Sequence, residues 1–231
     1  MANFNLANEL DSKDIEDWRK SRTKFLENAD AMINSLLLKA PDSPIYLDAR
    51  NSLDLTLATN SESSETWSES LLKQAIASSK LVWEKNRGQP QLAKHAIAGS
   101  ATLASLENYR QNFRESIRIC LGALQLLELS LSDHRDEAWV QLLELRLHEE
   151  HCGALLELES WMEALKSAQR ADELIVLLQR NYVSPEAMVE HRVQCLKNQA
   201  QAYRHLGREV DAEVCEETVV RLSEEFRPKT P

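Results

Sequence analysis

His148-Glu149-Glu150-His151-Cys152 is the one cluster in the chain whose residue types suggest a metal, since imidazole, carboxylate and thiolate are the usual zinc donors and His148 and Cys152 stand one helical turn apart. The spacing is not H-E-x-x-H, in which two histidines a turn apart share a helix face with a general base. His151 instead continues the stripe Val140, Leu143, Leu147, His151, Ala154, Leu158, where a packed neutral imidazole fits. Phosphate chemistry lacks its usual tools, since no G-x-x-x-x-G-K-[ST] or G-x-G-x-x-G motif occurs and five glycines leave little material for a cradling loop; the G-x-S-x-G nucleophile motif of hydrolases is absent too. The neighbouring carboxylates Glu149-Glu150, Glu216-Glu217 and Glu224-Glu225 read as solvated helix faces. Cys120, Cys152, Cys195 and Cys215 form no C-x-x-C pair and sit in apolar helical patterns, so they read as reduced core residues. The expectation is a chain with no catalytic residue, metal or cofactor; a helical enzyme or metal-binding protein centred on His148, His151 and Cys152 is the competing reading.

A second constellation suits recognition better than catalysis. Val189, Val193, Leu196, Ala200 and Tyr203 recur at helical spacing, and the opposite register holds Gln194, Lys197, Gln201 and Arg204. From Pro185 to Leu206 the cations Arg192, Lys197 and Arg204 outnumber Glu186 and Glu190, in a chain whose 27 Lys and Arg are outweighed by 37 Asp and Glu. A long-reaching, locally cationic face of this kind is either an ordinary solvated surface or a docking surface for an acidic partner. The formal net charge of −10 works against a general nucleic-acid or anionic-membrane binder, which points to a protein or peptide partner.

These residues need long helices to position them. Gly and Pro number 5 and 6, too few for the many tight turns of a sandwich or barrel, and no segment sustains period-two alternation. Ser43-Pro44 and Ser184-Pro185 place a cap hydroxyl before a proline whose missing N–H costs nothing in the first turn, and Gly88 and Gly207 suit helix stops. Breakers and periodicity together predict nine helices, near 11–39, 44–58, 67–86, 90–108, 113–131, 134–158, 161–180, 185–206 and 208–226. The longest apolar run, Leu174 to Leu178, is far short of the roughly 20 residues a membrane span needs. Glu9, Asp11, Asp14, Glu16 and Asp17 crowd the start of the chain without an apolar block, which is not how a secretory signal reads, so a cytoplasmic location is expected.

The helices repeat. Thr66-Trp67-Ser68-Glu69-Ser70-Leu71, Asn112-Phe113-Arg114-Glu115-Ser116-Ile117 and Ser160-Trp161-Met162-Glu163-Ala164-Leu165 recur at offsets of 46 and 48 residues. Each copy reads as a capping box, with Thr66, Asn112 and Ser160 as caps and Glu69, Glu115 and Glu163 reaching back to the cap's N–H. Ala77, Ala123 and Ala171, ten residues beyond each aromatic, would admit a neighbouring helix. After a further 48 residues the pattern decays into Gly207-Arg208-Glu209-Val210-Asp211-Ala212, where Glu209 replaces the aromatic as expected of an exposed terminal unit. Trp18 lies 49 residues before Trp67 without the capping Glu, a degenerate half-repeat.

Cys152-Gly153-Ala154-Leu155-Leu156 through Trp161-Met162-Glu163-Ala164 to Ala168 and Ala171 resembles one unit of the tetratricopeptide-repeat superfamily. Ala200, Ala202-Tyr203, Leu206-Gly207-Arg208 and Asp211-Ala212 resemble a second, and Gly99 through Phe113, Ser116 and Ala123 a third. The units here are longer than the usual length of about 34 residues. The resemblance implies an all-α, right-handed α-solenoid of antiparallel helical hairpins: an N-terminal helix at 1–42, a repeat array at 43–226 and a tail at 227–231. It implies a non-enzymatic interaction module, a scaffold or adaptor, that takes a peptide or helix in its concave groove. Residues at Gln194, Lys197, Asn198, Gln201 and Arg204 would line it, together with Arg146 and Glu149 and, further along, Gly153 and Leu156 of the preceding unit. A ligand- or peptide-sensing regulatory repeat protein would use the same face, and a generic helical array would share the packing without the groove.

Overall fold

A computed structural model describes residues 12–60 and 65–226, with the side chains of 12–20, 22, 23, 59, 60 and 65–68 left aside. Among the described residues the fold is all-α, with no strand and nine α-helices: α1 Ser12–Lys39, α2 Pro44–Asn60, α3 Glu65–Lys85, α4 Lys94–Tyr109, α5 Phe113–Leu131, α6 Ala138–Glu157, α7 Trp161–Asn181, α8 Pro185–His205 and α9 Glu209–Glu225. Both prolines stand at the expected first positions, of α2 and α8. Two starts come later than the periodicity suggests. A 3-10 turn, Pro90–Ala93, precedes α4, and another, Ser132–His134, precedes α6, which begins only where the Val140 and Gln141 N–H groups bond the Glu137 carbonyl. What was expected of residues 1–11 and 227–231, and of the side chains of Trp18, Thr66 and Trp67, lies outside the described residues.

Three hairpin turns share one construction, and at Asn112 and Ser160 it replaces the expected capping boxes. Gln111, Glu159 and Gly207 take φ of 64°, 57° and 71°, the left-handed conformation that turns a helix end back on itself. In each, the next residue's N–H bonds a carbonyl five residues back: Asn112 to Glu107, Ser160 to Leu155, Arg208 to Tyr203. The N–H that Glu115 or Glu163 would have captured is therefore already bonded to the preceding helix. Neither Asn112 nor Ser160 makes a side-chain cap bond. The Asn112 amide donates to Glu107 (2.7 Å), Glu115 turns to Arg118, and Glu69 pairs with Lys73.

The chain divides into two compact units, Met1–Gly99 and Ser100–Pro231. In the first, α1 packs on α2 and α2 on α3. Arg50 of α2 ties Asp30 of α1 (2.5 Å) to the buried Asp54 (2.8 Å), and His95 Nδ1 lies 2.8 Å from Asp48. Gly99 permits a close approach: a Cβ there would stand 2.7 Å from Leu55 Cδ2 and 2.9 Å from Ile76 Cγ1. In the second unit successive helices α5 to α9 pack in order, and α6 also touches α8. Small residues seat them. Ser116, Cys120 and Ala123 of α5 and Ala164, Ala168 and Ala171 of α7 are buried, as the repeat predicts.

Ala77 is not part of that series. It is exposed, and α3 instead buries Leu72, Ile76, Ser79, Val82 and Trp83. These precede the buried Ser116, Cys120, Ala123, Leu126 and Leu127 of α5 by 44 residues, so the 46-residue match at Trp67 is out of phase with the packing. At the far end Glu209 is exposed, as expected of a terminal unit, while Trp161 packs against the core formed by α6 to α9 and stacks on His205 with ring centroids 3.7 Å apart.

Candidate binding face on α6 and α8

Two cores hold α8 in place. Leu196, Ala200, Ala202 and Tyr203 pack with Ala164, Leu165 and Ala168 of α7 and Ala212 and Cys215 of α9, and Met188 and Cys195 pack with Leu174, Ile175 and Leu178 of α7. With that face buried, the opposite register is held outward, and Gln194, Lys197, Gln201 and Arg204 are all exposed. Arg192 is drawn aside to Asp172 of α7 (3.1 Å), and Gln169 of α7 donates to the Tyr203 hydroxyl (2.9 Å).

Helix α6 runs beside α8, joined by two side-chain contacts. His191 Nδ1 lies 2.7 Å from Glu149 Oε1, and the Asn198 amide donates to Cys152 Sγ at 3.6 Å. Asn198 also accepts from Gln194 (2.9 Å), so this half-buried amide joins the two helices and is not a free ligand group. On the α6 side Arg146 is exposed and Glu149 half-buried, and an added Cβ at Gly153 would meet nothing within 4 Å. Asn108 of α4 extends the row by donating to the Glu150 backbone carbonyl and to its carboxylate, at 3.0 and 2.9 Å.

Leu156 and Arg204 depart from the expected arrangement. Leu156, expected on the same face, is 8% exposed and belongs to the core formed by α6 to α9. Arg204 is exposed but paired with Glu216 of α9 at 2.5 Å, because α9 brings a carboxylate up to this part of α8. Arg146 of α6 and Lys197 of α8 are exposed cations with no ion pair among the described residues.

The histidine–cysteine cluster disperses. Burial pushes the Cys152 thiol up to about 12 and the His148 imidazole down to about 4, and it lowers His151. His151 Nδ1 lies 2.8 Å from the buried Ser167 hydroxyl, and His148 Nε2 stands 3.9 Å from Glu144. Among the described residues no group of three His, Cys, Asp or Glu side chains is arranged to hold a metal. All four cysteines are buried and unpaired.

The polar links themselves were invisible in the sequence. Glu144, 6% exposed, accepts from Arg170 of α7 at 2.9 Å, and Arg170 also reaches Glu173 at 3.1 Å. Glu149–His191 and Asn108–Glu150 both join residues 42 apart, a separation that helical periodicity does not flag. The hint available was local: Glu144 falls among apolar residues of α6, a poor place for a carboxylate without a partner.

No protein-family model matches the chain, and no curated protein is significantly similar to it. Among the described residues, no helix is long and apolar enough to cross a membrane.

Proposed function

We propose that the chain is a non-enzymatic interaction module with a tetratricopeptide-like arrangement of hairpins, which binds an acidic peptide or helix of a partner protein along α6 and α8. One observation supports this reading: first helices of successive hairpins lie side by side, linked through Glu149–His191 and Cys152–Asn198, and each presents an exposed cation, Arg146 on α6 and Lys197 on α8, with no ion pair among the described residues. In a chain of net charge −10, such cations on neighbouring helices are a local reversal that would steer an anionic partner. The three repeated left-handed turns support the hairpin arrangement, since each closes a helix end and starts the next helix within a residue or two.

The test is charge reversal. Arg146→Glu with Lys197→Glu avoids the Arg204–Glu216 pair and every buried residue, so helicity and melting should be unchanged. A partner captured with the wild-type chain from its native host should bind this variant about thirtyfold more weakly at low salt, the sum of two solvated charge contacts of about 1 kcal/mol each. Equal binding by the variant would move the site to another surface.

A further inference from the structure

Helices α6 and α8 are separated in sequence by the whole of α7, yet two side-chain contacts join them directly. The Asn198–Cys152 contact is indifferent to pH near neutrality, because burial pushes the Cys152 thiol up to about 12. The other contact is between groups that titrate. His191 Nδ1 lies 2.7 Å from Glu149 Oε1, with both side chains partly open to water, at 38% and 25% exposure, so a proton can come and go without opening the core. We infer that His191–Glu149 is a protonation-dependent clasp between α6 and α8, firm when the imidazole is charged and slack when it is neutral.

The surroundings favour the charged state. From α6 the imidazole meets Glu149, while Glu150 beside it is bound to Asn108 of α4 and Arg146 lies a turn earlier. On α8 itself Glu190 adds a second negative charge, Arg192 is held by Asp172 of α7, and Lys197 stands further along. Glu216, the carboxylate that α9 brings to α8, is occupied by Arg204. The buried Cys195 thiol is pushed up and stays neutral. The hydrogen bond to Glu149 accordingly holds His191 above the ordinary histidine value of 6.5, although its partial burial works the other way.

The direction of the switch follows by linkage. A histidine raised in the folded state contributes stability that is complete below 6.5 and is lost as pH rises through its folded value. The clasp therefore loosens as pH rises from 6.5 through the raised folded value of His191, a direction histidine can read near physiological pH. Its consequence for binding rests on the function proposed above: with His191 charged, Glu149 is compensated and Arg146 and Lys197 set the sign of the face; with His191 neutral, the Glu149 charge opposes an acidic partner.

The test uses the protein alone, so failure of the clasp is read separately from failure of the binding face. Imidazole resonances are followed by NMR through a pH titration, with His191 assigned from its loss in His191→Gln. The midpoint of His191 should lie above 6.5 and fall back toward 6.5 in Glu149→Gln. Thermal melts from about pH 6 to about pH 8 should show a decline in midpoint that is steeper in the wild type than in either variant. His191→Gln keeps an amide donor for Glu149 while abolishing the titration, so it removes the slope without removing the contact. A midpoint at or below 6.5, a midpoint unmoved by Glu149→Gln, or identical slopes in all three proteins would overturn the inference.

Discussion

Glu159 and Gly207 occupy the same place in two equivalent turns, and only one of them is a glycine. A side chain in the left-handed conformation costs about 1–2 kcal/mol, partly offset by the extra freedom that glycine loses on folding. Glu159→Gly should therefore stabilise the protein by about 1 kcal/mol and Gly207→Ala should destabilise it by a similar amount, both measured by urea unfolding. An added Cβ at Gly207 meets nothing within 4 Å, so its backbone conformation is the whole cause there. A second residue-scale expectation concerns Glu144, a carboxylate buried among leucines and held by Arg170. Removing the guanidinium strands the charge, so Arg170→Ala should cost about 2 kcal/mol, discounted from the value for a fully buried pair because Arg170 is 34% exposed. Replacing both partners, Glu144→Leu with Arg170→Met, should recover most of that loss. A double variant no more stable than Arg170→Ala would show that the pair contributes by something other than satisfying a buried charge.

At the scale of the helix, register decides which small residues are needed. Ala171 is fully buried at a close approach, and a larger side chain there must displace a neighbouring helix. Ala171→Leu should cost about 1–3 kcal/mol, as overpacking usually does. Ala77 is exposed, so Ala77→Leu should change stability by no more than about 0.5 kcal/mol. Equal losses at the two sites, measured by thermal unfolding, would restore the 46-residue register in place of the 44-residue one. The contrast shows how far the sequence could be read. Helix type and most boundaries were legible because proline, glycine and apolar spacing act within a few residues of where they stand, as at Pro44, Pro185 and Gly207. The caps at Asn112 and Ser160 were misread because the competing acceptors, the carbonyls of Glu107 and Leu155, lie in the preceding helix and leave no mark on the cap motif. Of the candidate face, exposure at Gln194, Lys197 and Gln201 followed from the apolar stripe opposite. The Glu216 partner of Arg204 and the burial of Leu156 did not, since each depends on which helix arrives from elsewhere in the chain.

Across the molecule, charge has two opposite effects that salt can separate. The chain carries −10 overall, and like charges repel in the compact state more than in the expanded one. Many of its close ion pairs are exposed, such as Arg118–Glu115 and Arg208–Asp211, and pairs of that kind contribute little. Screening should then relieve more repulsion than it weakens attraction, because the Debye length of about 10 Å at 0.1 M salt shortens long-range repulsion before it reaches close pairs. The melting midpoint of the free protein should accordingly rise by a few degrees as sodium chloride increases from about 0.02 to about 0.2 M. Binding to an acidic partner through Arg146 and Lys197 should move the other way, with weaker affinity and a slower association rate over the same range, because steering by exposed cations is what salt suppresses first. Calorimetry on the free chain and surface-plasmon measurements on the complex would read the two trends independently. If salt raises both stability and affinity, the contact is apolar and the cationic face along α6 and α8 is not where the partner lies.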